Sequence, residues 1–222
     1  MKKTRKSPQT QIQRLIELMA ELRSPHGCPW DREQDHMSLR FHAVEEVYEL
    51  IDAIESGDDV EMAEELGDFL LQVVFHCQLA AERGAFDFEK VAQHISDKLV
   101  RRHPHVFGDA EAKSVEAVWA QWDKIKKAEK QGTKHERTSA LDGIPSHLPA
   151  LLKAEKLVKK ARKAKLWDEE PKLALSKAQV AARLLSFTAY AQSKGWSAEE
   201  LLRSETEKVR KKLLKAEVSR TR

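Results

Sequence analysis

A chain of 222 residues with 41% hydrophobic and 34% charged residues can bury one sizeable core or two small ones, and its 8 glycines and 7 prolines are too few for a collagen-like or low-complexity chain. The cysteines, Cys28 and Cys77, cannot build a disulfide framework or a C-x-x-C zinc site. No apolar run approaches the ~20 residues of a membrane span, so a cytoplasmic, non-membrane protein is expected. The net charge of +3 hides a segregation: residues 41–100 hold 3 basic and 15 acidic side chains, a balance of −12, whereas residues 151–222 stand at +10.

Residues 1–10 read as a basic tail. Apolar residues at helical spacing (Ile12, Leu15, Ile16, Leu18, Met19, Leu22) predict a helix over 11–23, ended by Ser24-Pro25-His26-Gly27. The stretch Gly27-Cys28-Pro29-Trp30-Asp31 reads as a turn. From Leu39 to Glu55 the pattern is helical again, with Val44, Val47, Tyr48, Ile51 and Ile54 on one face; Ser56-Gly57-Asp58-Asp59 turns the chain into a second helix, about Val60 to Arg83. An antiparallel pair is predicted. Its second member is apolar almost all round (Leu66, Phe69, Leu70, Leu71, Val73, Val74, Phe75), as in a helix at the centre of a bundle. Phe88 to Arg102 is the next helix, ending at His103-Pro104-His105, and Val115 to Lys130 is amphipathic. Gln131-Gly132-Thr133-Lys134 opens a linker over 131–138, which closes a first domain over 11–130. Helices near Leu148–Leu166, Pro171–Ser193 and Ser197–Val218 give a second, basic domain over 139–222. There Leu184-Leu185 echoes Leu70-Leu71, and Lys208-Val209-Arg210-Lys211-Lys212 echoes Lys98-Leu99-Val100-Arg101-Arg102, as in a worn repeat of the first domain. The expected fold is an all-α helical bundle.

The acidic segment carries the chemistry. Glu46 and Glu49 stand three apart on one helix, and Glu65 and Asp68 three apart on the next, so each pair shares a helical face. Glu65, Asp68, Gln72 and His76 fall in one stripe, the polar part of an otherwise apolar helix. Carboxylates converging in a partly buried place repel and lose hydration, so they need a cation or must take up protons. Oxygen ligands favour a hard ion, Mg²⁺ or Mn²⁺. Gly67, between two acidic residues, predicts close helix packing beside the site. The competing account is a solvated acidic face, which is how most glutamate pairs at this spacing behave.

Lys98, Arg101 and Arg102 complement a helix C-terminus, and beside an acidic metal site they also suit a polyphosphate. His103 and His105 are expected to be surface or packing residues. Trp119 and Trp122, like Trp30, are core or interface anchors or else platforms for a base. The Lys153–Lys165 run, seven basic residues with Glu155 as its only acid, reads as a solvated face that can also meet nucleic acid or an acidic partner.

Glu45-Glu46-x-x-Glu49, then fifteen residues, then Glu65-x-x-Asp68 resembles the EExxE…ExxD motif of the MazG-type nucleoside triphosphate pyrophosphohydrolases. Gly27-Cys28-Pro29-Trp30-Asp31 with Gln34, Glu65-Leu66-Gly67-Asp68, and Lys98 through Phe107 resemble the family's flanking signatures. Ser139-Ala140-Leu141-Asp142 with Ile144-Pro145 and Leu148-Pro149-Ala150-Leu151 is similar to the connector of two-repeat members. The resemblance implies an all-α fold completed by dimerisation or higher assembly. It implies Mg²⁺ held by Glu46, Glu49, Glu65 and Asp68, and Glu45 or Glu46 as base for a water. Lys98, Arg101 and Arg102 would hold the triphosphate, and Trp119 would lie against the base. The implied reaction cleaves nucleoside triphosphates between the α and β phosphates, giving a monophosphate and pyrophosphate. The second half departs from the pattern: Asp168-Glu169-Glu170-Pro171 and then Arg183 stand where a second EExxE and ExxD would be, and a cation cannot ligate Mg²⁺.

Other classes compete with this one. A bundle that binds nucleotide or a partner without hydrolysis would serve as a regulator, against which the intact carboxylate set argues. A nucleic-acid-binding protein would use the basic second half. A di-iron bundle needs repeated Glu-x-x-His motifs, and only Glu33-Gln34-Asp35-His36 has that form.

Overall fold

The computed structural model describes residues 9–134, 136–167 and 174–220. Among them every regular element is helical, and the chain is all-α: α1 (Gln11–Leu22), α2 (Pro29–Glu33), α3 (His42–Ser56), α4 (Asp59–Glu82), α5 (Phe88–Arg102), α6 (Pro104–Phe107), α7 (Val115–Ala128), α8 (Ala150–Lys163), α9 (Lys177–Ser193) and α10 (Ala198–Arg220). None of these helices is long and apolar enough to cross a membrane. The chain forms two compact units, the first ending at Ala117 and the second starting at Val118, so the division falls within α7.

In the first unit, α3 packs along α4, and α1 and α5 pack on α4 as well. Each start has a local cause. Thr10 and Gln13 form a reciprocal capping box on α1, Asp58 accepts from the N–H groups of Val60 and Glu61, and Asp87 accepts from that of Lys90. Gly57 ends α3 in the left-handed region at φ 73°, with its N–H on the carbonyls of Ala53 and Ile54; the chain reverses directly into α4. Gly27 is required for a different reason, because a Cβ there would collide with the carbonyls of Leu22 and Glu21 at the end of α1.

The core of this unit joins Met19, Leu39, Val74, Phe75 and Leu79, with Ile12, Leu15, Ile16, Leu71 and Phe88 against it. All the core positions on α4 lie in its C-terminal half. In the N-terminal half Val60, Leu66, Phe69 and Leu70 are exposed, so the expectation of a helix buried all along its length is corrected: α1 reaches only the later turns of α4. The close packing expected at Gly67 is also absent, since a Cβ there would meet nothing within 4 Å. Two single-turn helices, α2 and α6, stand outside the predicted helices, α2 within the stretch read as a turn and α6 just after the end of α5. Both begin at a proline, Pro29 and Pro104, whose fixed φ suits the first helical position.

In the second unit α8 and α10 pack along each other around Leu141, Leu157 and Ala161, with Ile144, Leu166, Trp167, Val209, Leu213 and Leu214 against them. The Ser139–Asp142 segment is pinned to this pair: Ser139 Oγ and the Ala140 N–H both donate to Glu217, and Leu141 is wholly buried. Lys153 breaks the expectation of a solvated basic face, being buried and 3.6 Å from Glu207. Lys160 donates to the carbonyl of Ala140 at 3.1 Å, and Lys163 pairs with Asp123. On α9, Arg183 and the neighbouring Leu184 and Leu185 are exposed. Asp168, Glu169, Glu170 and Pro171 lie outside the described residues, as do residues 1–8 of the basic tail.

Candidate functional site

The corner at Gly57-Asp58 decides which acidic residues meet. Because α4 runs back along α3, the second turn of α4 comes level with the middle of α3, and Gln72 comes level with Glu46. Glu46, Glu49 and Glu65 each bring a carboxylate oxygen within 4.8 Å of the other two. Glu46 and Glu65 are half-buried and Glu49 is exposed, so the cluster sits at a surface rather than in the core. Asp68 is half-buried one turn beyond Glu65 and is near enough to raise the protonation ranges of Glu49 and Glu65.

Both shifts run upward. Loss of hydration is the main cause for each carboxyl; Glu46 and Glu45 add to it at Glu49, and Glu49 and Asp68 at Glu65. Carboxylates that repel one another in this way gain from a cation or from protons. The donor set is all oxygen, which suits a hard divalent ion. Gln72 is 8% exposed and donates from Nε2 to Oε1 of Glu46 at 3.1 Å, while its own Oε1 is buried with no hydrogen-bond partner among the described residues. Three carboxylates meeting at a surface, one of them held by a buried amide, fit a centre built to hold a cation and its hydration. Among the described residues, no comparable trio of ligating side chains forms in the second unit.

Glu45 lies in the first turn of α3, exposed, with its Oε2 3.7 Å from Nδ1 of His42. Lys98 is half-buried on α5, along an open groove of about 390 Å³ shared with Phe86, Lys90, Val91, His94 and Ile95. Arg101 and Arg102 occupy the last turn of the same helix. Trp119 is on α7 in the second unit, 59% exposed and edge-on to Trp122 with ring centroids 5.9 Å apart. His103 and His105 lie near each other, and His103 Nδ1 is 2.7 Å from the carbonyl of Leu99, a helix-end contact.

One polar pair was not foreseen. His76, at the end of the acidic stripe, stacks on His36 with centroids 5.1 Å apart, and their Nδ1 atoms are 2.8 Å apart, so one ring donates and the other accepts. Burial and the neighbouring His36 both lower the pKa of His76. The stripe itself marked His76. His36 comes from the loop before α3, where no periodicity points to a partner.

Residues 34–107 match a family model described as the MazG nucleotide pyrophosphohydrolase domain, a segment that takes in α3 to α6. The chain is 49% identical over 152 residues to the "Nucleoside triphosphate pyrophosphohydrolase" of Escherichia coli K12, covering 68% of this chain and 57% of that protein. It is 47% identical over 150 residues to the "Nucleoside triphosphate pyrophosphohydrolase/pyrophosphatase MazG" of Thermotoga maritima, covering 68% and 56%. With an "Uncharacterized 26.1 kDa protein in blaB 3'region" of Streptomyces cacaoi it shares 41% identity over 199 residues, 89% of this chain and 78% of the other. The chain belongs to the MazG family. It spans little more than half the length of the first two of these relatives. The MazG segment contains the whole carboxylate cluster together with Lys98, Arg101 and Arg102, and it ends before Trp119.

Proposed function

We propose that this MazG-family chain is a divalent-metal-dependent nucleoside triphosphate pyrophosphohydrolase that cleaves between the α and β phosphates, releasing a nucleoside monophosphate and pyrophosphate. The observation that carries this proposal is the meeting of Glu46, Glu49 and Glu65 within 4.8 Å inside the MazG segment. The names of the relatives from E. coli and T. maritima support the reaction class.

In this proposal Glu46, Glu49, Glu65 and Asp68 hold Mg²⁺, with Mn²⁺ as a substitute of the same hard character. When bound, the ion supplies neutralising charge to the phosphate oxygens and acidifies a water. Glu45 or Glu46 accepts the proton of the attacking water on a carboxylate oxygen. Lys98, Arg101 and Arg102 offset the negative charge that grows on the departing pyrophosphate. The second unit, with Arg183 at the position of a ligand, contributes no second centre. A second copy of the chain covers the exposed stripe of Val44, Val47, Ile51 and Ile54 on α3 and completes the bundle. Free thiols at Cys28 and Cys77 suit a reducing cytoplasm.

The test is pyrophosphate release from a panel of canonical and modified ribo- and deoxyribonucleoside triphosphates, with Mg²⁺ and with EDTA. Glu49→Gln should lower Mg²⁺-dependent release by at least about 100-fold while leaving helicity unchanged, because losing a ligand costs at least as much as losing an outer partner. Retained turnover in the variant would remove Glu49 from the centre. No release from any nucleotide by the folded wild type would favour a silent nucleotide- or partner-binding role.

A further inference from the structure

Gln72 follows Asp68 by one turn of α4, and at 8% exposure it is a buried polar side chain on that helix. Its orientation is set by chemistry. An ionised carboxylate only accepts hydrogen bonds, so the amide turns its NH₂ toward Glu46, 3.1 Å away, and its oxygen must face the other way. There Oε1 is buried with no partner among the described residues. Helix packing alone favours an apolar side chain at such a position, because a buried acceptor left unpaired is a net cost to folding. What the amide gains is one bond, to Glu46.

Glu46 has reason to move. Its carboxylate stands within 4.8 Å of those of Glu49 and Glu65, and a half-buried glutamate relieves such like-charge repulsion by swinging toward water. A buried donor on α4, bonded to Glu46, opposes that motion. We propose that Gln72 is a positioning residue: it holds one oxygen of Glu46 so that the carboxylate stays with Glu49 and Glu65, and the centre is preorganised before a cation arrives. This inference rests on the metal-centre assignment made above. Gln72 acts through Glu46 and touches neither substrate nor the reacting atoms.

The test uses the full chain and Mn²⁺ alone as probe, with binding read by the loss of the free-ion EPR signal. Gln72→Met keeps length and volume but removes the amide. The dissociation constant for Mn²⁺ should rise about 10- to 100-fold, while the melting temperature of the EDTA-treated protein should stay level or rise, because an unpaired buried oxygen is gone. In a Glu46→Gln background, adding Gln72→Met should change Mn²⁺ affinity less than twofold, since the group that Gln72 positions is no longer a carboxylate. Three results would overturn the proposal: unchanged Mn²⁺ affinity in Gln72→Met, a further loss of affinity in the double variant, or a fall in metal-free melting temperature that marks Gln72 as a fold residue. Failure of the wild type to bind Mn²⁺ would instead overturn the metal centre and the role of Gln72 with it.

Discussion

Arg23 shows how one side chain can tie three elements of the first unit together. At the end of α1 its side chain is 9% exposed, and the guanidinium bonds both oxygens of Glu82, at 2.6 and 2.7 Å, while also donating to the carbonyls of Asp31 and Gln34. It thereby ties α1, the loop around α2 and the end of α4. The pairing raises the Arg23 pKa and holds the Glu82 carboxyl below the ordinary glutamate value, in each case chiefly through their mutual hydrogen bonds. A carboxyl with a lowered folded pKa contributes fully above the unfolded value of about 4.5 and loses its contribution as the pH falls through the lowered folded value. Glu82→Gln should therefore flatten the acid limb of a melting-temperature profile between pH 7 and pH 3. Arg23→Met should cost about 2 kcal/mol in urea unfolding at pH 7, most of it from the charge-assisted bonds lost to Glu82 and to the carbonyls of Asp31 and Gln34. Equal acid limbs in wild type and Glu82→Gln would show that the pair contributes nothing. No sequence signal points to this pair, because its members stand 59 positions apart. The acidic residues were legible for the opposite reason: three-residue spacing on two successive helices encodes a shared face. The Gln72–Glu46 and His36–His76 bonds, each made across elements, were not.

Among the helices, α4 separates what pattern shows from what packing decides. Its length and its polar stripe follow from the sequence, and its span differs by about one residue at each end from the expected Val60 to Arg83. Its burial does not follow, since an apolar pattern marks surface to be covered without saying whether the same chain covers it. Gly67 sits in that uncovered half. Alanine there gains roughly 1 kcal/mol of helix propensity, and its Cβ meets nothing within 4 Å, so Gly67→Ala should raise the melting temperature by a few degrees. A lower value would mean that another surface closes on α4 at that point. The short helices α2 and α6 were not legible because one turn is too brief to show a period.

For the molecule as a whole, the all-α class was legible from 3.6-residue periodicity repeated along the chain, and the two units are each built around their own small core. Composition changes at 131–138, whereas the compact units part at Ala117 and Val118; loop-forming residues mark where chain direction changes, not where helices stop touching. The exposed stripe on α3, with Ile51 41% and Ile54 55% exposed, repeats at the three- and four-residue steps of an interhelical seam. Sedimentation of the wild type is expected to give at least twice the 25.4 kDa chain mass, and Ile51→Glu with Ile54→Glu should shift it toward the monomer. A wild type that sediments as a monomer at micromolar concentration would leave the stripe without a second copy.

The two-residue corner between α3 and α4 also bears on when the site comes into being. Glu46 and Gln72 are separated by 26 positions, and the carboxylate trio lies between the same limits, so a single helical hairpin brings the whole constellation together. Contacts that local close early on the folding pathway, because little chain has to be gathered before they form. As the polypeptide leaves the ribosome, this hairpin is complete well before α8 to α10 have been synthesised, and the order of translation becomes the order of assembly.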